Sequence, residues 1–452
     1  MIEDPAAGSV AQVWNKPFVP PQQIPEFADV VIIGGGIVGA SAAWFLAKEG
    51  VSVALCEKGH IAGEQSGRNW GWVRLQGRDP REVPMMLESL RIWRGFESET
   101  GEDVGYTEAG CLFAAHTQKD LQGFESWLPV AQEYGVDTRM LDKHELTDLV
   151  GEANAEWVGG VYTASDARAE PHKATPAIAR TAARLGASVM SCCAVRGIET
   201  AAGHVSAVVT EHGVIKTSIV LCAAGAWTSM FCRSLGISVP QLQVRGTVAR
   251  TAASSADLEC AFFDEKLGVR RRQDGGYTVA HGTVLDHAIT PSTFRYAFKF
   301  IPALLKEFKQ LRVQLGKDFF DELATPGRWP LDRVSPFEDN RVLNPEPNQK
   351  VLREIREYLD ATFPRLAGVE IVESWAGMVE TSPDIVPIIG EEAQIPGFFV
   401  ATGFSGHGFG IGPGAGKAIA GMLTNTDTGI DLQPFRRQRF FDGSRIRPYK
   451  TI

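Results

Sequence analysis

The chain has no Lys- or Arg-rich run and no long apolar run, and these absences exclude several classes of protein. Its formal net charge is −9, so neither nucleic acid nor an anionic membrane surface is expected as the main partner, because both bind clustered cations. No stretch of about 18 apolar residues is present to span a bilayer. The N-terminus lacks the basic and apolar regions of a secretory signal. We therefore expect a cytoplasmic protein that acts on a small molecule.

Cysteine is also scarce. The seven cysteines show no CxxC spacing and no His/Cys cluster that suits zinc, so we expect reduced, structural thiols and no metal site. The neighbouring Cys192 and Cys193 leave a redox switch open as an alternative. Alternating core and surface positions on a strand explain the pair more simply. The Pro-rich residues 1–27 predict an extended N-terminal arm.

The chain does contain enough apolar sequence for a large core, since 44% of its 452 residues are hydrophobic and 22% are charged. This length predicts two lobes. Asp29 to Ile33 and Val51 to Cys56 are short apolar runs typical of buried strands, and Ile37 to Glu49 between them has a helical pattern. The pattern predicts a strand, a tight turn, a helix and a second strand.

The tight turn has the spacing Gly34-x-Gly36-x-x-Gly39, the fingerprint of a dinucleotide site. Gly34 allows the turn, Gly36 lets a pyrophosphate approach the backbone, and Gly39 lets the helix pack close to the sheet. The helix N-terminus adds N–H donors and the positive end of its dipole. Glu57 ends the second strand, where a carboxylate can accept from ribose hydroxyls and disfavours a 2′-phosphate. A Gly-rich turn that binds nothing is the alternative.

Apolar periodicity predicts further elements along the chain. The predicted helices are Glu82 to Glu99, Ala174 to Leu185, Phe294 to Gln314 and Gly416 to Leu423. The predicted strands are Ser188 to Ile198, Ser206 to Glu211, Ile219 to Ala223 and Phe398 to Ala401. A hairpin is predicted over residues 269–280, and it turns at Asp274-Gly275-Gly276. A second glycine-rich turn, Gly403 to Gly414, leads into the last helix.

Several segments together resemble the D-amino-acid oxidase, glycine oxidase and sarcosine oxidase superfamily, over about residues 29–425. The turn Gly403 to Gly414 resembles its closing motif, and Glu64 to Asn69 resembles its flavin-contacting loop. Ala223 to Trp227 resembles its AAGAW strand end, and Trp375 to Gly390 resembles its W-x-G, TPD and P-x-IG segment. The resemblance implies that the cofactor is FAD and that the closing helix points its N-terminus at the flavin.

The resemblance also implies an α/β fold, in which a Rossmann-like FAD-binding domain is interleaved with a β-rich (α+β) substrate domain. The FAD-binding domain would comprise residues 28–75, 145–235 and 365–430, the substrate domain residues 76–144 and 236–364, and a C-terminal tail residues 431–452. The fingerprint and the resemblance together make the following residues candidates for binding the cofactor: Gly34, Gly36, Gly39, Glu57, Lys58, Ser66, Arg68, Asn69, Val195, Ala224, Gly225, Trp227, Gly406, His407, Gly408 and Gly410.

The sequence departs from the superfamily at two informative positions. Val379 stands where the glycine oxidase branch has an arginine that clamps the substrate carboxylate, so the usual grip on an α-amino acid is not expected. Gly377 stands where monomeric sarcosine oxidases have the cysteine that bonds to flavin, so we expect non-covalent FAD. Glu380 is a candidate to receive a substrate ammonium; the alternative is a solvated or helix-capping glutamate.

Three more residues are candidate catalytic groups. Arg74 falls where the sarcosine oxidase branch has an arginine near the substrate carboxylate, and the alternative is a surface ion pair. Arg270 lies on a predicted strand, where alternation turns Arg270 and Arg272 to one face and Arg271 to the other. One of them would face the pocket, or all three would form a solvated edge. His407 would either influence the flavin or only hold the closing loop.

The resemblance implies oxidation of a C–N bond, in which hydride passes from the carbon bearing an amine to flavin and the imine is hydrolysed. A dry pocket would favour the neutral amine that this reaction needs. Superfamily oxidases often have a lysine for the oxygen reaction on the strand that resembles Tyr277 to His281, which has none. A dehydrogenase with an unidentified electron acceptor is therefore favoured over an oxidase. An FAD-binding subunit of a heteromeric amine or opine dehydrogenase is one alternative. A flavoprotein hydroxylase is another, although Asp166-Ala167 departs from its usual Asp-Gly pair.

Overall fold

The computed structural model describes residues 23–307 and 311–449, so the arm predicted for residues 1–27 lies almost wholly outside the described residues. Within the described ranges the chain forms a mixed α/β fold with sheets of six, ten, three and three strands. No helix in those ranges is long and apolar enough to cross a bilayer.

The six-stranded sheet is parallel except at one edge, where Ile388–Glu391 runs antiparallel to Phe398–Thr402. Val30–Ile33 and Val53–Cys56 are buried at every position, as expected of strands covered on both faces. Its strands, in spatial order, are Ile388–Glu391, Phe398–Thr402, Ile219–Cys222, Val30–Ile33, Val53–Cys56 and Ser188–Met190.

Each face of the parallel sheet packs into a different core. Val30 and Ile32 join a core shared with the helices Ile37–Lys48, Val83–Thr100, Pro171–Arg184 and Gly408–Thr424. Val31 and Ile33 point to the opposite side because strand residues alternate. That side is covered by a three-stranded antiparallel sheet, Val195–Ala201, His204–Thr210 and Gly213–Lys216.

The helix Ile37–Lys48 crosses the sheet very closely at Gly39. A Cβ atom on Gly39 would lie 2.1 Å from the carbonyl oxygen of Gly34 and 3.3 Å from Cγ2 of Ile32. Only glycine fits at that distance without moving backbone, which confirms the packing role predicted for this position.

The ten-stranded mixed sheet forms the second lobe. Leu242–Thr251 lies inside it and pairs with Ile371–Thr381 along almost its whole length. The helix Gln349–Thr362 covers this sheet with Val351, Ile355 and Leu359, a spacing of one helical face. The strand path is Leu311–Gln314, Leu285–Ala288, Leu242–Thr251, Tyr277–His281, Leu267–Arg271, Ala261–Phe263, Cys111–Ala115, Gly159–Thr163 and Thr138–Leu141, with Ile371–Thr381 beside it.

The remaining elements lie outside the two large sheets. A small sheet contains Trp72–Val73, Ala167–Arg168 and Thr107–Glu108. The other α-helices are Gln65–Arg68, Gln118–Glu125, Leu128–Glu133, Lys143–Val150, Thr228–Ser234, Pro291–Glu307, Lys317–Ala324 and Pro336–Asp339. The 3-10 turns are Gly225–Trp227, Pro364–Leu366, Gln433–Phe435 and Arg437–Phe440.

Two predicted elements were wrong in extent. The run Ser188 to Ile198 is two strands in different sheets, separated by residues 191–194. Cys192 and Cys193 lie in that gap and are both buried, so they do not alternate between core and surface on a strand. The predicted helix Phe294 to Gln314 is the helix Pro291–Glu307, and residues from Leu311 form an edge strand instead.

The closing helix was also predicted too short. It begins at Gly408, eight residues before the predicted Gly416, because the glycines of the motif continue the helix rather than form the turn. Ile371–Thr381 and Gly159–Thr163, which fall in the segments expected to form the cofactor domain, pair instead in the ten-stranded sheet. The division of the chain into domains therefore stays a prediction.

The helix Pro291–Glu307 buries Tyr296 and Ala303 and turns a second apolar stripe outward. Phe294, Phe298, Ile301 and Leu305 lie on that stripe, and Phe298 is 88% exposed. Its periodicity is typical of a core-facing helix, yet the face with the larger side chains is the exposed one.

Candidate active site

A cavity of about 600 Å³ lies between the parallel sheet and the ten-stranded sheet. Its floor is formed where strands of the parallel sheet end, at Gly34, Glu57, Ala223 and Ala401. Its opposite wall comes from Leu242–Thr251 and its neighbours in the larger sheet. Ligands of open α/β sheets bind in the crevice at the carboxyl ends of the strands, so this is the expected place for a cofactor.

The glycine-rich turn forms one end of the cavity. Gly34 and Gly36 line it, and the backbone N–H of Ile37, at the start of the helix, donates to Ser66 Oγ at 2.9 Å. A Cβ on Gly36 would meet only Ser66 Oγ, at 3.2 Å. Backbone donors at a helix N-terminus, with only the Ser66 hydroxyl in front of them, suit a pyrophosphate.

Glu57 lies beside this turn with both carboxylate oxygens engaged. Oε2 accepts from the Gly35 N–H at 2.7 Å, and Oε1 accepts from the Gly59 N–H at 2.6 Å. Burial raises the pKa of Glu57, whereas Lys58 and the two N–H donors oppose that rise. The carboxylate therefore fixes two loops at the place where the sequence predicts a ribose.

The remaining predicted cofactor residues surround this part of the cavity. Lys58 Nζ donates to Glu64 Oε1 at 3.1 Å and lies 4.1 Å from the centre of the Trp227 ring. Trp227 Nε1 also donates to Glu64 Oε1, at 2.9 Å. Val195, Ala224 and Gly225 line the same region.

Arg68 and Asn69 brace the loop after the second strand of the chain. Arg68 donates to the carbonyl oxygens of Gly63 at 3.1 Å and Ala376 at 2.9 Å, and burial lowers its pKa to about 10. Asn69 Nδ2 donates to the Ser66 carbonyl at 2.8 Å. Both residues line the cavity, but these hydrogen bonds hold the loop in place.

The N-terminus of a second helix, Gly408–Thr424, also lies at the cavity. His407 caps the helix Gly408–Thr424, and His407, Gly408 and Gly410 line the cavity. Arg78 Nη2 donates to the His407 carbonyl oxygen at 3.2 Å. Burial and the nearby guanidinium groups of Arg78 and Arg74 hold the pKa of His407 well below its usual range, so its imidazole is neutral.

Five aromatic side chains, here called the aromatic wall, line part of the cavity. They are Trp70, Trp72, Phe113, Phe124 and Phe263. The Arg74 guanidinium carbon lies 5.2 Å from the centre of the Phe113 ring, within cation–π range. The wall offers apolar surface and one cation to a ligand.

Glu380 is a buried acidic residue that lines the same cavity. It is 4% exposed, and burial raises its pKa to about 7, although hydrogen bonds from the Gln65 side chain and the Phe404 backbone oppose the rise. Its Oε2 has no hydrogen-bond partner within the described part of the chain. Val379 precedes it on the strand and also lines the cavity. Glu380 is therefore neither solvated nor a helix cap.

Arg270 is not among the residues that line the cavity. It is 1% exposed and forms a two-bond ion pair with Glu170, at 2.9 and 3.2 Å. Arg272 is also buried and Arg271 is the most exposed of the three, so the predicted alternation holds while the solvated edge does not. The remaining catalytic candidates, Arg74, Glu380 and His407, do line one cavity.

Sequence reasoning missed Arg78, Glu82 and the aromatic wall. Arg78 and Glu82 are four residues apart and both buried; Glu82 was predicted only as the first residue of a helix, and Arg78 fell in no predicted element. A charged pair at that spacing is ordinarily a surface pair, so the spacing gave no signal of burial. The aromatic residues come from four separate segments that only the fold brings together.

These residues fit a flavin dinucleotide. The cavity has two helix N-termini, a cradle at Gly36 that a side chain would fill, and a carboxylate at the ribose position. No cluster of three or more metal-ligating side chains occurs in the residues described. The fold and the cavity thus define a protein with a site suited to a dinucleotide cofactor, at the carboxyl ends of a parallel sheet.

The comparisons with known proteins identify the family. The family model described as FAD dependent oxidoreductase matches residues 29–422, and the chain therefore belongs to that family. L-amino acid deaminase from Proteus myxofaciens, solved in complex with anthranilate, is 32% identical with a TM-score of 0.90, covering 94% of this chain and 97% of that one. The enzyme of the same name from Proteus vulgaris is 29% identical, with a TM-score of 0.89 over 94% and 100% of the two chains.

Curated relatives include enzymes of several amine substrates. Mitochondrial sarcosine dehydrogenase of Mus musculus is 26% identical over 432 residues, which are 93% of this chain and 42% of the relative. Glycine oxidase of Geobacillus kaustophilus is 25% identical, over 91% of this chain and 97% of the relative. The chain spans less than half the length of the first curated relatives that it matches.

Proposed function

We propose that this chain oxidises the C–N bond of an amino acid with a bulky apolar side chain and transfers the hydride to non-covalent FAD. The observation that carries the proposal is one cavity that joins a dinucleotide cradle to an aromatic wall and is also lined by Arg74 and a buried Glu380. The names of the structural relatives, L-amino acid deaminases, support the same class of substrate. Bound FAD would accept the hydride from the carbon that bears the amine.

Glu380, Arg74 and the aromatic wall would act on the substrate. The substrate ammonium would give one proton to the Glu380 carboxylate, which leaves the neutral amine that can release hydride from its carbon. A carboxyl group with a pKa of about 7 suits that transfer, because it gains and loses protons near neutral pH. Arg74 would bind the substrate carboxylate, and the aromatic wall would exclude water. His407, neutral and fixed at the helix cap, would orient the closing helix.

The product would be an imine, which water converts to an oxo acid and ammonia. The two electrons removed from the substrate must then leave the cofactor. Lys58 is the single lysine among the described residues that line the cavity, and it lies over the Trp227 ring and donates to Glu64. The strand Tyr277–His281 contributes His281 instead. This supports an acceptor other than oxygen. We also propose a cytoplasmic location, which fractionation of expressing cells would test.

The experiment measures the loss of flavin absorbance at about 450 nm when each compound is added without oxygen. L-phenylalanine and L-leucine should bleach it, whereas glycine and sarcosine, which leave the aromatic wall uncovered, and 2-phenylethylamine, which lacks a carboxylate, should be slower. Slow recovery after air is admitted would support the dehydrogenase assignment. Faster bleaching by glycine or sarcosine than by L-phenylalanine would overturn the proposed substrate class.

A matched pair of variants tests the site. Val379→Arg introduces a cation into the cavity and should change which compounds reduce the flavin. Val372→Arg is the control, because Val372 is on the same strand but 42% exposed. Equal substrate profiles for the two variants would contradict the assignment of Val379 to the substrate site.

A second candidate function is an FAD-binding subunit of a heteromeric dehydrogenase. The observation in its favour is a relative called sarcosine oxidase subunit beta, of Rhodobacter capsulatus, matched over 96% of this chain and 93% of its own length at 21% identity. Purified chain that retains FAD but is bleached by none of the compounds would favour this function.

A further inference from the structure

Arg78, Glu82 and His407 form a buried cluster, here called the Arg78 cluster, behind the N-terminus of the closing helix. Arg78 is 2% and Glu82 1% exposed. Arg78 Nη1 lies 3.8 Å from Glu82 Oε1, and His407 Nδ1 lies 3.8 Å from Glu82 Oε2. None of these four atoms has a hydrogen-bond partner within the described ranges. Glu82 is thus a buried carboxyl group that faces a cation and a neutral imidazole.

Arg78 is held rigidly in this position. Its Nε donates to the Arg74 carbonyl and its Nη2 to the His407 carbonyl, both at 3.2 Å. Its own carbonyl accepts from Trp127 Nε1 at 3.0 Å. Arg78 and His407 line the cofactor cavity, whereas Glu82 is absent from the lining and lies one layer behind them. Any change in the charge of Glu82 therefore acts through Arg78 and the helix cap.

The charges around Glu82 come from two elements. Arg74, Arg78, Asp79 and Arg81 face it from its own segment, and His407 faces it from the closing helix. Burial raises the pKa of Glu82 to about 7 against the opposing guanidinium groups, while burial and those groups keep His407 neutral. Glu82 is consequently the member of the cluster whose charge changes near neutral pH.

We propose that Glu82 is a positioning residue that takes up a proton when the flavin is reduced, and so adjusts the positive charge that Arg78 presents to the cofactor. This rests on the proposed FAD site but not on the identity of the substrate. The hydride that the substrate loses in the proposed function carries two electrons and one proton, which would reduce bound FAD to its anionic form. A hydronium ion from solvent would give the second proton to the Glu82 carboxylate and leave water. The new negative charge on the cofactor favours that protonation, because an ionised Glu82 would cancel the compensating charge of Arg78.

The test measures the equilibrium between flavin and a reference dye during anaerobic photoreduction with EDTA as electron donor, from about pH 6 to pH 8.5. A second proton adds a further tenfold change in the equilibrium constant per pH unit, which is about 30 mV for a two-electron couple. Wild-type holoenzyme should show that extra dependence near pH 7 and Glu82→Gln should lack it. Glu82→Gln should also be easier to reduce than wild type above pH 7.

Two controls separate this proposal from its alternatives. Glu88→Gln should behave as wild type, because Glu88 lies on the helix that follows and its pKa is lowered to about 2 by Arg91 and Lys417. Glu380→Gln should keep the extra dependence. If Glu380→Gln loses it and Glu82→Gln keeps it, the proton goes to the substrate site and the proposal is overturned.

A direct count of protons covers the case in which Glu82→Gln does not retain FAD. In weakly buffered solution with an indicator dye, the protons released by EDTA oxidation are subtracted by a parallel photoreduction of free FAD. Wild-type holoenzyme and Glu380→Gln should then each take up roughly one and a half protons per flavin reduced near pH 7, because a Glu82 with a pKa of about 7 is already half protonated there, and close to one near pH 10. Uptake of one proton at both values would overturn the proposal. Because light and EDTA reduce the flavin here, failure of every candidate substrate would leave this result unaffected.

Discussion

Two glycines of the fingerprint should fail in different ways when replaced by alanine. A Cβ on residue 39 would lie 2.1 Å from the Gly34 carbonyl oxygen, whereas real Cβ contacts essentially never fall below 3.0 Å. The helix and the turn must therefore separate by about 0.9 Å. Overpacking of this kind costs about 1–3 kcal/mol. Gly39→Ala should lower the free energy of unfolding of the apoprotein by that amount.

Gly36→Ala is the matched variant. The added methyl would meet only Ser66 Oγ at 3.2 Å, and the backbone of Gly36, with φ −73°, is open to alanine. The apoprotein should stay within about 0.5 kcal/mol of wild type. The methyl stands where the pyrophosphate must approach, and a cost of about 1–3 kcal/mol there would weaken FAD binding roughly 5- to 150-fold.

Urea unfolding of the apoproteins and fluorescence titration with FAD measure the two effects separately. Gly39→Ala should unfold at a lower urea concentration than wild type, and Gly36→Ala should bind FAD more weakly than wild type. An apoprotein of Gly39→Ala as stable as wild type would refute the packing argument. A Gly36→Ala variant that binds FAD normally would refute the placement of the pyrophosphate.

Three further outcomes are expected. Glu57→Ala removes acceptors from two backbone N–H groups and should weaken FAD binding roughly tenfold or more in equilibrium dialysis, and normal retention would count against the cofactor assignment. A buried acid whose pKa is raised from 4.5 to about 7 destabilises the fold increasingly as pH rises through that interval, so Glu380→Gln should stabilise the apoprotein above pH 7 by on the order of 3 kcal/mol in thermal unfolding, with no difference below pH 4. Arg270→Met leaves Glu170 buried without its partner and should cost about 3–5 kcal/mol of stability; a change in substrate profile without that loss would return Arg270 to the site.

The sequence was most informative where steric demand is local. The glycine spacing, the strand before it and Glu57 after it depend on local packing, so the sequence predicted where this turn lies. Gly34, Gly36 and Glu57 line the cavity, whereas Gly39 packs against the sheet and does not line it. The closing helix was harder, because glycine disfavours helices in isolation and here the burial of Gly410 and its neighbours against other helices outweighs that preference. The predicted helix start, Gly416, consequently fell eight residues after the observed one.

The substrate side depends on contacts between distant segments, and periodicity does not report them. Arg270 looked like a surface or pocket residue until Glu170, one hundred positions earlier, was placed against it. The stripe of Phe294 and Phe298 shows the converse limit, because a helical pattern reveals an apolar face but not whether anything covers it. Glu380 became a candidate only because it follows Val379. Its burial could not be predicted, because it depends on residues from distant segments that together form the cavity.

The order of strands in the parallel sheet has a consequence for biosynthesis. Phe398–Thr402 inserts between Ile388–Glu391 and Ile219–Cys222, and the helix Gly408–Thr424 follows it. A ribosome that adds about 5–20 residues per second needs roughly 20–70 s to travel from the fingerprint to this helix. Throughout that interval the nascent chain exposes half a cofactor site with nothing to close it. We therefore expect flavin to be captured only after the helix Gly408–Thr424 has been synthesised.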